Sequence, residues 1–156
     1  MGKEIHEEWN VNWLGAEHHL SEASVQSASA WQVYVKEKET LPYLTYRTVG
    51  DSNVRDSHAK LHGITLPVDH SFWDTHKSPN GFRCRCWEIQ TDDKSKVTKE
   101  KDLKNLPELP KVFRNNPGKT GKVFNEHHPY YQSVSKEGKA NIDKLLKGEE
   151  KGGGNN

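Results

Sequence analysis

The sequence predicts an α+β fold: a long N-terminal helix, a small mostly antiparallel sheet with short helices, a possible zinc clip, and a disordered C-terminal tail. Three observations lead there. Apolar residues recur at helical steps through the first forty positions. Short segments rich in aromatic and β-branched residues follow, bounded by Gly and Pro. The last residues, from Gly148, are Gly, Glu, Lys and Asn without apolar content. The 156 residues suffice for one domain with appendages. We divide them into a helical arm at 1–40, a compact unit at 41–131 carrying a charged linker at 91–110, and a helix plus tail at 132–156.

The arm comes first. Ile5, Trp9, Trp13, Ala16, Leu20, Ala23, Trp31 and Tyr34 recur at three- and four-residue steps, which places them along one helical stripe. Serines at 21, 24, 27 and 29 loosen the middle, and Pro42 closes the helix. Tyr43 to Val49 then reads as a strand, and Asn53 to His62 as a short helix stopped by Gly63 in the C′ role. Ile64 to Val68 is a second strand, placed at a sheet edge by Pro67. Asp69 to Phe82 reads as a loop with a Pro-Asn-Gly turn signal. Arg83 to Gln90 is the third strand, and Thr91 to Pro110 is a charged linker over the surface. A final helix is expected over Ser133 to Lys147.

Composition narrows the function classes. Hydrophobic residues make up 31% of the chain and charged ones 29%, so the core must be small. The 23 basic and 22 acidic side chains nearly cancel, to a net charge of +1. DNA contact is therefore possible but not indicated by charge, since a dedicated binder carries a basic excess. No apolar run approaches the roughly eighteen residues of a membrane span. His6 stands where a myristoylation signal needs Ser or Thr, and no secretory leader is visible. The Gly-x-x-Gly at 118–121 is not a phosphate loop, which needs Gly-x-x-x-x-Gly-Lys-Ser/Thr.

The chain's only cysteines are Cys84 and Cys86. On a strand, residues i and i+2 share a face, so two sulfurs would project together with Arg85 opposite. Such a pair supplies half of a tetrahedral zinc site. His58 and His62 share a helical face, and His70 and His76 precede the pair. The same cysteines also read as small buried hydrophobes, as a strained disulfide, or as a redox pair lacking a thioredoxin-like context.

In order along the chain, Thr48-Val49-Gly50-Asp51-Ser52-Asn53-Val54-Arg55, His58-Ala59-Lys60-Leu61-His62-Gly63, Phe72-Trp73 and Pro79-Asn80-Gly81-Phe82-Arg83-Cys84-Arg85-Cys86 resemble the phage head morphogenesis family of Mu protein F-like minor head proteins. A second block, Phe113-Arg114-Asn115-Asn116-Pro117-Gly118 with Val123-Phe124 and His128-Pro129-Tyr130, resembles the family's C-terminal part. The likeness covers roughly residues 43 to 131. A sister branch has Cys-x-x-Cys where this chain has Arg55 and His58. It also has a histidine where Gly81 stands. By that likeness the metal set is His58, His76, Cys84 and Cys86, with His62, His70 or Asp51 as substitutes, and zinc as a structural ion.

The resemblance implies a minor capsid or head morphogenesis protein of a phage or prophage, acting in head assembly or DNA packaging and injection. Its expected partners are other capsid or portal proteins, with no membrane. Its expected location is the virion or the bacterial cytoplasm of the host. An enzyme is not expected. The alternative is a metal-dependent hydrolase or nuclease, which would need an open position on the ion and a carboxylate base. Glu88 and Asp74 are the nearby carboxylates.

Overall fold

A computed structural model describes residues 2–129 and Gly138, with side chains from Leu14 onward. The predicted final helix and tail lie outside the described residues, apart from Gly138. So do the side chains of Ile5, Trp9 and Trp13.

The arm forms one helix, α1 (Gly2–Lys36), which ends before Pro42 in a turn closed by Leu41 N donating to Glu37 O. Its buried face includes Leu20, Ser24, Ser27 and Trp31, while Val25 and Val33 face outward. After it come β1 (Tyr43–Arg47), α2 (Asp56–Ala59), β2 (Thr65–Pro67), α3 (Phe72–His76) and β3 (Trp87–Thr91). Three 3₁₀ turns and α4 (Pro117–Thr120) complete the described chain.

The strands form one antiparallel sheet in the order β2-β1-β3, which puts the Pro67 strand at an edge as its missing N–H requires. Leu44 stands opposite both Leu66 and Gln90, and Tyr46 stands opposite Glu88. Because side chains alternate, these residues share one face. That face meets Trp31, Leu61, Phe72 and Trp73 in the core. Each such buried side chain contributes about 1.5–3 kcal/mol of transfer free energy. On the opposite face the Thr45 and Thr65 hydroxyls bond at 2.8 Å, and Trp87 and Ile89 stay half exposed.

The structure differs locally from the sequence reading. The third strand begins at Trp87, so both cysteines precede it instead of lying on it. Arg83 sits at φ 54°, in the left-handed region, and Cys84 N donates to Gly81 O, so the chain is still turning there. Residues 72–76, read as loop, form α3, whose Phe72 and Trp73 are buried. The charged stretch at 91–110 is anchored to the body: Thr98 N donates to Thr65 O, and Leu109 is 2% exposed within the core. The first strand and the short helix are also briefer than expected, at 43–47 and 56–59.

α1 is pinned to the body at two levels. Gly118 of α4 lies so close to Trp31 that an added Cβ would stand 2.3 Å from the tryptophan Cβ. Lys119 lies over the same ring at 5.1 Å. Lower down, Ser27 donates to Ser78 O at 2.5 Å and accepts from Lys77 Nζ at 2.6 Å.

Candidate metal centre

α2 is one turn long, yet it decides where the imidazole goes. His58 and Leu61 are three residues apart, so they face the same way. Both are buried, while Asp56, Ala59 and Lys60 are exposed. Gly63 ends the segment at φ 85°, the C′ conformation expected of it. The burial of Leu61 thus carries His58 inward.

The loop 81–86 comes up against it. Arg55 donates to Phe82 O at 2.8 Å, and Arg85 holds Asp51 through two bonds of 2.7 and 2.8 Å. Gly81 fits because it lacks a side chain: an added Cβ would meet Arg55 Nη1 at 3.2 Å and His58 Cε1 at 3.5 Å. Phe82 packs edge-on against Phe113, centroids 5.1 Å apart.

The result brings three donors together. Cys84 Sγ lies 3.7 Å and Cys86 Sγ 3.5 Å from His58 Nδ1. A tetrahedral zinc with Zn–S near 2.3 Å and Zn–N near 2.05 Å has an S···N edge of about 3.6 Å. The two S···N spacings match that edge. Both thiols are free and partly buried. The hydrogen bond between them holds the Cys84 thiol below its usual range and pushes that of Cys86 up.

His76 does not join this group. Its ring stacks on Phe72 at 4.5 Å and 11°, and its Nδ1 bonds the Thr75 hydroxyl at 2.8 Å. Placed at the end of α3, it lines a separate cleft of about 450 Å³ with His70, Leu106 and Arg114. Burial lowers its pKa from the ordinary imidazole value. The substitutes are also engaged elsewhere. His62 Nδ1 bonds Thr48 N at 3.2 Å, His70 pairs with Glu100 at 3.0 Å, and Asp51 holds Arg85. Among the described residues, no fourth His, Cys or carboxylate donor joins His58, Cys84 and Cys86 within 4.8 Å.

The two carboxylates near the cysteines in sequence are occupied. Asp74 pairs with Lys119 at 2.5 Å. Glu88 is buried, with Oε2 2.5 Å from Lys77 Nζ and Oε1 accepting from Ser78 N at 2.8 Å. The network Ser27–Lys77–Glu88 was not foreseen from sequence. Lys77 and Glu88 are separated by a turn and a strand entry, so no spacing rule pairs them.

Residues 16–89, from the packed part of α1 to β3, match the family described as Phage Mu protein F like protein. Over that stretch the chain resembles this family. Protein F of Escherichia phage Mu, named for a role in capsid assembly, is 32% identical over 73 residues, covering 47% of this chain and 17% of that protein. The Mu-like prophage FluMu F protein of Haemophilus influenzae is 31% identical over 91 residues, covering 54% of this chain and 22% of that one. The chain therefore spans about a fifth of the length of these relatives. No solved structure matches. The Mu F-like stretch contains α2, the loop 81–86 and all three proposed donors. The block at 113–130 lies beyond it.

Proposed function

We propose that this chain is part of a minor head protein of a Mu-like phage or prophage, acting as a structural component in head assembly. In this reading residues 1–40 are a helical arm docked through Trp31, and 41–131 are the head morphogenesis unit. The observation that carries it is the Mu F-like match over residues 16–89, with a relative named for capsid assembly. Partners would be other head or portal proteins, and the protein would travel in the virion. The test is deletion of the gene from its phage or prophage, followed by electron microscopy of induced lysates. Heads should be missing or aberrant and restored by complementation. Normal, infectious particles would overturn the reading.

Within that role, His58, Cys84 and Cys86 hold a structural zinc that cross-links α2 to the loop 81–86. The tetrahedral edge lengths support this. When bound, the ion supplies a rigid link, on the order of 10 kcal/mol in small zinc domains. His76 is left out of our ligand set, because it is stacked on Phe72 instead. Purified protein should contain one zinc per chain. Cys84→Ser or Cys86→Ser should abolish it and lower the melting temperature, while His76→Phe should keep it. Full stability without metal in the wild type would remove the site.

A metal-dependent hydrolase is the second reading, favoured by the count of three donors with no fourth among the described residues. Against it, Glu88 is locked to Lys77 and Asp74 to Lys119, so neither is placed as a base.

A further inference from the structure

α1 carries a second group of metal-type donors on an exposed turn. His18, His19 and Glu22 stand at positions i, i+1 and i+4 of the helix, all of them exposed. Glu22 is four residues from one imidazole and three from the other, so its carboxylate falls between them. One donor atom from each residue lies within 4.8 Å of the other two. We propose that this turn is a zinc site, in which the two imidazoles and the carboxylate hold the ion and water takes the remaining position. It is separate from the centre at His58, Cys84 and Cys86 and does not rest on that reading.

Distances carry the assignment. His18 Nδ1 lies 3.4 Å and His19 Nδ1 3.7 Å from the same oxygen, Glu22 Oε2. A direct charge-assisted N–H···O bond to a carboxylate would close to about 2.7–2.9 Å. A tetrahedral ion with bonds of about 2.0–2.1 Å to nitrogen and oxygen instead sets that edge at about 3.4 Å. An octahedral ion such as magnesium, with bonds of similar length, needs about 2.9 Å and prefers oxygen throughout. The rings of His18 and His19 are nearly perpendicular, at 82° with centroids 6.2 Å apart, which lets both nitrogens face the carboxylate without the rings stacking. The frame is already in place, because Glu17 and Leu20 are buried along the same stretch and hold the helix on the body. Only side-chain rotamers are left to fix on binding, which lowers its cost. His19 and Glu22 also line an open cleft of about 890 Å³ beside the loop 81–86, so water and ions reach them freely. A site of this kind exchanges its ion and fills when zinc is supplied, unlike a partly buried thiolate centre.

The full chain, stripped of metal, is titrated with zinc by calorimetry. His18→Ala and Glu22→Gln should each weaken one binding event at least about tenfold, the lesser cost of removing even a residue that merely supports a metal ligand. Both positions are exposed, so neither change disturbs the core. His127→Ala removes an exposed histidine elsewhere and should leave that event unchanged. Zinc binding indifferent to His18→Ala and Glu22→Gln would overturn the inference. Equal weakening by His127→Ala would overturn it too, since binding would then belong to surface histidines at large. The thiolate centre is read separately, because its event should vanish in Cys84→Ser and persist in His18→Ala. A chain whose one zinc event is lost in His18→Ala and kept in Cys84→Ser would sustain this site and remove the other.

Discussion

At the residue scale, the histidines show how environment overrides type. His58 and His76 were both candidates in sequence, each upstream of the cysteines. The structure separates them because Leu61 drags His58 to the core side of α2, whereas His76 finds an aromatic partner, Phe72, one turn back on α3. That fate has a measurable consequence. Burial lowers the folded-state pKa of His76 below the unfolded value near 6.5. The unfolded chain therefore binds this proton more readily. The stability contributed by neutral His76 is present above about pH 6.5 and is lost as the pH falls through the folded pKa. His76→Phe preserves the stacked ring and removes the titration. Its melting temperature should fall less than that of the wild type between pH 7.5 and 5, since contributions of other groups are common to both. Parallel curves for the two proteins would refute the assignment.

At the element scale, what was legible was the periodicity, and what was not was the turn chemistry. α1 was readable because thirty-five residues average out local exceptions. The edge position of β2 was readable from Pro67 alone. The start of β3 was not, because Arg83 takes a left-handed conformation that propensity assigns to Gly or Asn. α3 was hidden in a stretch judged by its Pro-Asn-Gly turn, although Phe72, Trp73 and His76 already had helical spacing. The junction between α1, the 77–78 turn and β3 is held by the buried Lys77–Glu88 pair, with both side chains almost fully covered, at 2% and 1% exposure. Breaking a buried pair costs about 3–5 kcal/mol, because the remaining charge is stranded. Lys77→Met and Glu88→Gln should each show a loss of that size in urea unfolding. The double variant should cost clearly less than their sum, by about 1.5 kcal/mol or more. Additive losses would mean the pair is not coupled. The α1–α4 junction gives a second test with two opposing effects. Ala favours a helix over Gly by about 1 kcal/mol. At Gly118, however, the new methyl would overlap Trp31, and overpacking costs about 1–3 kcal/mol. The clash is with the rigid root of the tryptophan side chain, so Gly118→Ala should destabilise the protein. A gain in stability would mean that α4 does not sit on Trp31.

At the scale of the whole molecule, little apolar material holds the described region together. The buried cluster draws on α1, β1, β2, α3 and the single Leu109 of the charged stretch. The loop 81–86 contributes only Cys86 to its margin. That loop is otherwise fastened by the edge-on contact of Phe82 with Phe113 and by polar links from Arg55 and Arg85, at exposed positions where ion pairs contribute about 0–1 kcal/mol. A metal bridging it to His58 would therefore be the strongest single tie at that end of the sheet. Because Leu61 and Tyr46 lie in the same core as Trp31 and Trp73, loosening that end should be felt throughout. Binding at a thousandfold excess over the dissociation constant adds about 4 kcal/mol. For a chain of this size that corresponds to a melting temperature roughly 10 °C higher. We expect zinc-loaded protein to unfold in one transition, and a chelator to move that whole transition down by about this amount, with re-added zinc restoring it. A transition indifferent to chelator would leave the sheet standing on its apolar core alone and assign the three donors to packing.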